Sequence, residues 1–591
     1  MRLYWCDDFN VPVLDPHDVV DKCSRISAVY ITEPGDARPA LGADMAITRQ
    51  AVENELGDRS LAAELIPEGE VVLLNKIPGY ADQADEVVVR GRIVGHRFYD
   101  VLEGRWRFRP LYEGVSKMIG EKKGWWALID MEDLPIGYDV HEDKIIEGSL
   151  PERRYTHVAV STRDGRIHGV AKLFRGRRLH IIKSWRARPG LPPGRPSDLG
   201  LFAEINRRHI ERRAEEAVEF LKKVFDQYGL PVVVSYSGGK DSLVALDLTA
   251  KTGRPFAILF NDTGLEAPET YENVKEVSER YGAELIVASA GDRFWRAIGE
   301  FGPPARDYRW CCKVIKMAPI TKALLERFPQ GVISVVGQRA AESFQRARLR
   351  RVSSSRWVAK TIVVAPLQEW KALEVWGYIV LNKLPYNRAY EKGFDRLGCL
   401  VCPANEMGEL ELVRINYPGI YEKMEEEVLK YYGDEAYLRY GLWRWKRGVP
   451  GDLQRFVKIK TRPKYPVEVR RAGEAVELSG IKPDMETAMQ LLKMLGDVQK
   501  MEGNVVKAGG AAIEISADSI RAVGEKALDA AALIVRSSIC GHCDLCINWC
   551  PTKALRRGED GRFVVDGDRC IKCLLCSRAC PSAQYLVYRA E

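Results

Sequence analysis

Hydrophobic positions divide the chain into segments with different periodicities. In the first 190 residues, short apolar runs alternate with turn residues, as at 70–74, 86–89 and 156–160. Runs of this length between turns predict β-strands. From about 200 to 460, apolar strand-like runs instead alternate with amphipathic helical periods. That alternation predicts a parallel sheet with helices on both faces.

The alternating region predicts several individual elements. The predicted strands lie at 231–235, 256–260, 284–287 and 331–336, and the predicted helices at about 201–228, from about 240, and at about 268–281. Changes of pattern and Gly/Pro-rich junctions then suggest four domains. They are a β-rich region at 1–190, an α/β domain at 197–465, a small α+β domain at 466–536 whose role the sequence does not indicate, and a cysteine-rich domain at 537–591.

Composition adds limits to this picture. A chain of 591 residues is too long for one hydrophobic core. The net charge of +7 is mild, so nucleic-acid binding has to be argued from local clusters. No apolar leader or run of 18 apolar residues occurs, which predicts a cytoplasmic protein without membrane contact. In that compartment, closely spaced cysteines indicate metal ligands rather than disulfides.

The loop Ser237-Gly238-Gly239-Lys240-Asp241-Ser242 follows a buried-strand pattern and opens a helix. Its glycines allow a tight turn that brings backbone N–H groups close to an anion. The helix N-terminus, the two hydroxyls and the Lys240 ammonium favour the same ligand. The loop is not a Walker loop, which has four residues between Gly and Gly-Lys. It predicts a phosphate site, the alternative being an ordinary glycine turn.

This loop resembles the signature of the PP-loop ATP pyrophosphatases, and the residues after it resemble the phosphoadenosine phosphosulfate (PAPS) reductase branch. The resemblance covers about 225–425. The matching pieces are Asp262-Thr263-Gly264, Pro268-Glu269-Thr270, Arg309-Trp310-Cys311-Cys312 with Lys316, Gly337-Gln338-Arg339 with Glu342-Ser343, Pro366-Leu367 with Trp370 and Val375-Trp376, and Gly398-Cys399 with Cys402-Pro403.

The resemblance implies a doubly wound sheet with an adenine nucleotide over the strand C-termini. Ser237–Ser242 would hold the phosphates, Asp262, Thr263 and Gly264 would lie beside the nucleotide, and Arg339 would face the phosphate or sulfate end. Lys240, Asp241 and Arg339 are the catalytic candidates. The nucleotide would be ATP or an adenylyl sulfonucleotide.

Cys311, Cys312, Cys399 and Cys402 form an inner quartet whose two pairs are 87 residues apart. Four thiolates suit an iron–sulfur cluster or a zinc ion. The adjacent pair is uncommon in zinc ribbons, and the pattern resembles sulfonucleotide reductases that carry a [4Fe–4S] centre. We therefore expect a cluster here, with zinc or free buried thiols as the alternatives.

Eight further cysteines form two copies of the C-x2-C-x2-C-x3-C-P pattern. They are Cys540, Cys543, Cys546 and Cys550, then Cys570, Cys573, Cys576 and Cys580. The pattern is that of a bacterial ferredoxin, in which three cysteines hold one [4Fe–4S] cluster and the fourth holds the other. With the inner quartet, it predicts three clusters, an electron-transfer role and an electron donor such as reduced ferredoxin. A purely structural cluster pair is the alternative.

The predicted fold class is thus multidomain, with an α/β doubly wound core, a β-rich N-terminal region and a ferredoxin-type α+β domain. Two basic segments could bind phosphate or RNA. The segment 337–360, with Arg339, Arg346, Arg348, Arg350, Arg351, Arg356 and Lys360, could form a lid over the nucleotide or a solvated loop. The segment 153–188 is weakly similar to PUA-type RNA-binding modules and could equally be a solvated face.

Cys6 and Cys23 remain, and with His17 they could be a remnant metal site, although three ligands without a fourth favour no metal. Neither cysteine has a neighbourhood that would activate it as a nucleophile. The C-terminal Glu-Cys-Gly motif, whose cysteine attacks sulfur in the familiar sulfonucleotide reductases, does not occur in this sequence. We expect reduction of an adenylylated sulfate, PAPS or adenosine phosphosulfate, to sulfite. The alternatives are ATP-dependent thiolation of an adenylated RNA base and a non-enzymatic scaffold.

Overall fold

A computed structural model describes residues 2–355, 358, 360–451, 453–454, 465–501 and 503–589. Its centre is a six-stranded sheet in which all neighbours are parallel except the last pair. In spatial order the strands are Glu284–Val287, Ala257–Phe260, Val232–Ser235, Val332–Val336, Thr361–Val364 and Val352–Ser354. The doubly wound α/β core predicted from the sequence is confirmed, and each of its predicted strands is found within one residue of its expected bounds.

Helices cover both faces of this sheet. The helices of this domain are Leu199–Ile205, Arg207–Tyr228, Lys240–Ala250, Pro268–Tyr281, Arg293–Phe301, Ala318–Arg327 and Ala372–Leu381, followed by Met407–Asn416, Pro418–Tyr432 and Ala436–Arg439. The long helix Arg207–Tyr228 buries Ile210, Ala214, Leu221 and Phe225, a helical spacing that places its apolar stripe on the sheet. Each helix in the described part of the chain is too short or too polar to cross a bilayer.

The N-terminal region is rich in β-structure, as predicted, and contains three sheets. The first is Val11–Val13, Arg2–Cys6 and Ile26–Tyr30; the second is Arg38–Pro39, Val72–Lys76, Ala84–Val89, Arg92–Asp100 and Arg105–Pro110; the third is Asp139–Val140, Leu179–Arg186, Ile167–Leu173, His157–Thr162, Trp126–Ile129 and Ile145–Ser149. A PUA-like module in this region stays a prediction.

Three helices of this region were not predicted: Gly42–Leu56, Arg59–Leu65 and Tyr112–Glu121. The reason is clearest in Gly42–Leu56, whose buried face includes the carboxylates of Asp44 and Glu55. Asp44 is paired with Arg38, and Glu55 with Arg107. Because charged side chains occupy buried positions, the helix lacks the apolar stripe that reveals an amphipathic helix in a sequence.

For Cys6 and Cys23 the sequence favours no metal site and indicates no disulfide. The two cysteines form a disulfide between the strand Arg2–Cys6 and the turn that precedes Ile26–Tyr30. Both side chains are buried in one apolar cluster with Trp5 and Val29. A remnant metal site with His17 is therefore excluded for these thiols, and so is a role as a free nucleophile.

Residues after 465 form an antiparallel sheet and a cysteine-rich domain. The sheet consists of Glu468–Ala472, Ala475–Ser479, Ser519–Val523, Ala511–Ile515, Val505–Ala508 and Val498–Lys500. The helix Ala527–Ser538 packs on this sheet, and the helix Met485–Leu492 packs on Ala527–Ser538. The cysteine-rich part has the hairpin Leu555–Arg557 and Phe563–Val565, the helices Leu545–Asn548 and Leu575–Ala579, and a π-helical segment, Ala583–Tyr588. The helix Ala527–Ser538 packs against this last segment.

Ion pairs attach the N-terminal region to the α/β core. The guanidinium of Arg444, with no exposed surface, donates to the Asp82 carboxylate at 3.0 Å and to the Asn405 carbonyl at 2.7 Å. Lys76 pairs with Glu406 at 2.7 Å. Since removing one partner leaves a buried charge without compensation, the Arg444–Asp82 pair fixes the relative position of the two parts.

Replacing Asp82 with Ala should lower the free energy of unfolding by about 3–5 kcal/mol, because the buried Arg444 guanidinium loses its counter-charge. Asp130→Ala is the control, since Asp130 pairs with Arg163 on the surface at 3.5 Å and should change stability by about 0–1 kcal/mol. Thermal melting of the two variants measures the difference. Equal melting temperatures would contradict the assigned role of Arg444–Asp82.

Candidate active site

The loop Ser237–Ser242, called the PP-loop from here on, lies at the carboxyl end of Val232–Ser235, between the strand's two parallel neighbours. The sheet order reverses at this strand, where doubly wound folds bind their ligands. Gly238 has φ +74°, and a Cβ atom there would lie 2.8 Å from Thr270 Cγ2. The Ser237 N–H donates to Ser242 Oγ at 3.3 Å, so the loop turns back on the first turn of the helix Lys240–Ala250.

A second glycine lets a neighbouring strand approach the loop. A Cβ atom on Gly337, just after Val332–Val336, would lie 2.4 Å from both Asp241 C and Ser242 N. Contacts this short with backbone atoms could not be relieved by side-chain rotation. Gly337 is thus required for the close packing of its loop against Asp241 and Ser242.

Lys240, Asp241 and Arg339, the three catalytic candidates, lie together and largely buried. Arg339 Nε donates to Asp241 at 2.5 Å, and Arg339 Nη1 donates to both carboxylate oxygens of Asp36 at 2.9 Å. Lys240 Nζ lies 3.4 Å from Asp241 and donates to the Asp395 carbonyl at 3.1 Å. Arg339 and Lys240 together hold the pKa of Asp241 below its usual value, against the effect of burial.

The N-terminal region therefore contributes to this site. Asp36, 303 residues from Arg339, also accepts the backbone N–H of Ala372 at 2.7 Å. Two residues later, Arg38 pairs with Asp395 at 3.1 Å. No sequence signal indicated Asp36 or Asp395, because their partners are brought to them only by the docking of separate domains.

A cavity of about 610 Å³ extends from the PP-loop to the inner cysteines. It is lined at one end by Ser237, Gly239, Asp241 and Ser242, and at the other by Cys399, Cys402, Arg309, Lys316 and Arg396. Arg346, in the basic segment after Arg339, lines it as well. The arrangement can hold an elongated anion with one end on the loop and the other beside the thiols.

The motif Asp262-Thr263-Gly264 lies at the thiol end rather than on the PP-loop. Thr263 is buried, and its hydroxyl lies 3.5 Å from Cys399 Sγ. Asp262 accepts from the Tyr271 hydroxyl at 2.7 Å and from Ser289 Oγ at 2.8 Å. That these three residues bind the nucleotide stays a prediction.

The fold brings the inner quartet together. Cys311 and Cys312 begin the π-helical segment Cys312–Met317, and the charge of Cys402 acts on the Cys311 thiol. A hydrogen bond from Cys311 lowers the pKa of Cys312, and Arg309 and Lys316 act in the same direction against the effect of burial. Arg309 Nη2 donates to Cys312 Sγ at 3.5 Å. Cations therefore lie beside Cys312 in this site.

The spacing of these sulfurs bears on the choice between cluster and zinc. In the described residues, no three of them lie within 4.8 Å of one another. A tetrahedral zinc with Zn–S bonds of about 2.3 Å requires sulfurs about 4 Å apart. The donor set of four thiolates thus fits a multi-iron group better than one ion.

The eight C-terminal cysteines sort into two sites across the repeat. Burial is the main reason that the pKa is raised at Cys540, Cys543 and Cys546, and the charge of Cys580 raises it further at all three. This grouping places the last cysteine of the second motif with the first three of the first. A separate cavity is lined by Cys550, Cys570, Cys573 and Cys576.

The surroundings of the second of these sites fit an iron–sulfur cluster. Apolar side chains line it beside the thiols, among them Leu555, Val565 and Leu574. Cys576 Sγ lies 3.4 Å from Met494 Sδ, so the antiparallel domain forms part of its wall. An apolar site with four cysteine sulfurs is a setting in which such clusters are held.

The first C-terminal site is docked on the inner quartet. Lys313, next to Cys312, donates from Nζ to the carbonyl of Ala579 at 2.8 Å, and Ala579 precedes Cys580. A Cβ atom on Gly541 would lie 3.1 Å from Val314 Cγ2. The peptide segments that carry cysteines of the two sites are therefore in van der Waals and hydrogen-bond contact.

The basic segments differ in their surroundings. Most arginines of 153–188 face carboxylates: Arg153–Glu103, Arg163–Asp130, Arg166–Asp164, Arg177–Glu142, Arg178–Asp139 and Arg188–Glu113. In 337–360, Arg346 also pairs with Glu342, Arg348 lies over Phe344 and Arg351 over Phe220. Arg356 lies outside the described residues. RNA binding and a lid stay predictions.

These features define an iron–sulfur protein built on a doubly wound α/β domain. The phosphoadenosine phosphosulfate reductase domain family matches residues 231–405, and the 4Fe-4S dicluster domain family matches 539–583. The chain belongs to the phosphoadenosine phosphosulfate reductase family, with a ferredoxin-type domain in the same polypeptide.

Individual relatives differ in how much of the chain they share. An uncharacterized protein of Methanocaldococcus jannaschii is 33% identical over 474 residues, which are 76% of this chain and 96% of that protein. Adenosine 5'-phosphosulfate reductase 2 of Bacillus subtilis is 30% identical over 33% of this chain and 82% of its own length. The crystal structure of PAPS reductase from Candida auris is 21% identical, covers 33% of this chain and 95% of its own, and has a TM-score of 0.25.

Gly337→Ala should weaken binding of an adenine nucleotide at least about tenfold, or about 1.4 kcal/mol, because its Cβ displaces the backbone at Asp241 and Ser242. Gly299→Ala is the matched control, since a Cβ there meets no atom within 4 Å among the described residues. Calorimetric titration with AMP measures both affinities. Wild-type affinity in Gly337→Ala would contradict the assignment of this loop to the nucleotide.

Proposed function

We propose that the chain reduces an adenylylated sulfate, PAPS or adenosine phosphosulfate, to sulfite with electrons that enter through its C-terminal domain. The observation that carries this proposal is the single cavity joining the PP-loop to Cys399 and Cys402. The docking of the C-terminal cysteine site on the inner quartet supports it. So do the relatives named adenosine 5'-phosphosulfate reductase.

The cavity suits the two ends of such a substrate. Backbone N–H groups and hydroxyls of Ser237–Ser242 would bind the nucleotide phosphate, using the N-terminal end of the helix Lys240–Ala250. Arg309, Lys316 and Arg396 line the opposite end. Guanidinium and ammonium groups there would hold the sulfate oxygens beside Cys399 and neutralise charge that develops as sulfite leaves.

The charged residues beneath the loop would act as positioning groups. Asp241 lines the cavity, whereas Lys240 and Arg339 reach it through Asp241. Asp36 offers the second carboxylate to Arg339, so two cations face two anions. This balance would keep the loop in one conformation while an anionic substrate binds.

We infer three [4Fe–4S] clusters, held by the inner quartet, by Cys540, Cys543, Cys546 and Cys580, and by Cys550, Cys570, Cys573 and Cys576. When bound, they would supply one-electron carriers between an external donor, such as reduced ferredoxin, and the cavity. Zinc at the inner quartet is the alternative that iron analysis distinguishes.

The reaction balances with two electrons. Adenosine phosphosulfate and two electrons give AMP and sulfite: the bond between sulfur and the phosphate oxygen breaks, its electrons stay with AMP, and sulfur is reduced. PAPS gives the 3'-phosphorylated nucleotide in the same way. All free cysteines among the described residues belong to the three quartets, so the proposal uses electron supply in place of a cysteine nucleophile.

RNA thiolation is the alternative reaction. It would use ATP at the same loop and the basic N-terminal segment as an RNA surface. The carboxylates that face six arginines of that segment reduce its net positive charge, and charge is what drives phosphate-backbone binding. The reductive reaction is therefore preferred.

Anaerobically purified protein given dithionite or reduced ferredoxin should release sulfite from adenosine phosphosulfate or PAPS. The Lys240→Ala/Asp241→Ala double variant should lose at least about 100-fold in rate, about 2.7 kcal/mol in transition-state stabilisation. Arg163→Ala, far from the cavity, is the control. No sulfite, together with RNA-stimulated conversion of ATP to AMP and pyrophosphate, would establish the alternative.

Metal analysis tests the cluster count separately. The purified chain should hold about twelve iron atoms and twelve acid-labile sulfides, four of each per cluster. Cys399→Ser should reduce both to about eight, whereas the Cys6→Ser/Cys23→Ser double variant should leave both unchanged. About eight of each with one zinc in the wild-type chain would refute an inner cluster.

A further inference from the structure

Arg536 is a buried cation with unused hydrogen-bond donors. It lies in the last turn of the helix Ala527–Ser538, and only 1% of its surface is exposed. Within the described residues, its Nε and Nη2 have no hydrogen-bond partner. Its Nη1 lies 4.0 Å from Cys576 Sγ. Burying two guanidinium nitrogens without hydrogen-bond partners is costly, which indicates that a group bound in this domain completes the surroundings of Arg536.

The guanidinium lies near both C-terminal cysteine sites, since Nη1 approaches Cys576 of one site and the side chain lines a cavity together with Cys540 of the other. The thiols whose charge acts on it are Cys546 and Cys580 of one site and Cys576 of the other. It also contacts the ring of Phe563, at 5.3 Å from the centroid.

Nearby carboxylates do not neutralise it. Asp484, Asp560 and Glu300 line the same small cavity as Arg536, but Asp484 and Asp560 pair with Arg562. Arg536 forms no ion pair with a carboxylate among the described residues. A [4Fe–4S] core with four thiolates carries net negative charge and sulfur atoms that accept hydrogen bonds. It would therefore supply both the counter-charge and the acceptors that Arg536 does not find among the described residues.

We propose that Arg536 donates hydrogen bonds to sulfur atoms of the clusters in the C-terminal domain and thereby raises their reduction potentials. A buried positive charge stabilises the more negative, reduced form of a neighbouring cluster, and hydrogen bonds to its sulfurs act in the same direction. The domain at 466–536, for which the sequence indicates no role, supplies Arg536 together with Met494. The proposal rests on the clusters and not on the reaction.

Arg557 offers a matched comparison. Its Nη2 donates to Cys540 Sγ at 3.4 Å, its Nε to the Asp544 carboxylate at 2.7 Å and its Nη1 to the Gly561 carbonyl at 2.7 Å. Its charge is thus already compensated by Asp544, and part of its side chain faces solvent. Removing it should change a cluster potential less than removing Arg536.

The test is an EPR-monitored redox titration of the full, iron-loaded chain. In Arg536→Met, the midpoint of at least one C-terminal cluster should fall so that, at the wild-type midpoint, the ratio of reduced to oxidised cluster decreases about tenfold, equivalent to 59 mV for one electron. Arg557→Met should change that ratio less than about threefold. Unchanged midpoints in Arg536→Met at full iron content would overturn the proposal.

A second measurement does not depend on a variant at Arg536. The Arg309→Met/Arg557→Met chain leaves Arg536 as the one arginine that bonds a quartet sulfur among the described residues. With ¹⁵N-labelled arginine, pulsed EPR of its reduced clusters should show ¹⁵N coupling and an exchangeable proton that disappears in D₂O. Absence of both signals would overturn the proposal even if Arg536→Met fails to bind iron.

Discussion

The contact between the Cys311–Cys312 segment and the turn before Cys580 is the constraint on which the organisation of the chain depends. Lys313 donates to the Ala579 carbonyl there, and a Cβ atom on Gly541 would lie 3.1 Å from Val314 Cγ2. A cysteine-rich domain joined by a loose linker would meet the inner quartet only transiently. Here the cysteine-rich domain packs against the segment that carries Cys311 and Cys312, so one of its cysteine sites lies next to the inner quartet.

The same logic extends to the N-terminal region. Asp36 and Arg38 reach the charged groups beneath the PP-loop, and Asp82 is paired with the buried Arg444. A region that resembled a separate binding module in the sequence is thus part of the structure that positions Asp241 and Arg339. Any partner it binds would contact a surface rigidly connected to the cavity.

Local features were predictable from the sequence, and long-range pairings were not. The strand Val232–Ser235, the glycine loop after it and the cysteine spacings each have a physical signature within a few residues. The helix Gly42–Leu56 was missed because Asp44 and Glu55 are buried against arginines from other elements. The Asp36–Arg339 pair spans 303 residues, and only the docked domains reveal it.

The cysteines illustrate both outcomes. Twelve were assigned by spacing, and the structure groups the C-terminal eight across the repeat. The disulfide of Cys6 and Cys23 was not expected, since compartment arguments say nothing about two thiols that the fold places in contact. No sequence motif indicated Arg536, because only the structure shows that its Nε and Nη2 have no hydrogen-bond partner among the described residues.

The most direct test of the account is a single-turnover experiment. The chain is reduced anaerobically with dithionite, freed of excess reductant and mixed with adenosine phosphosulfate while absorbance and EPR follow its oxidation. The account predicts reoxidation with one sulfite and one AMP formed for every two electrons lost. A chain that stays reduced and forms no sulfite, with PAPS as well as with adenosine phosphosulfate, would contradict it.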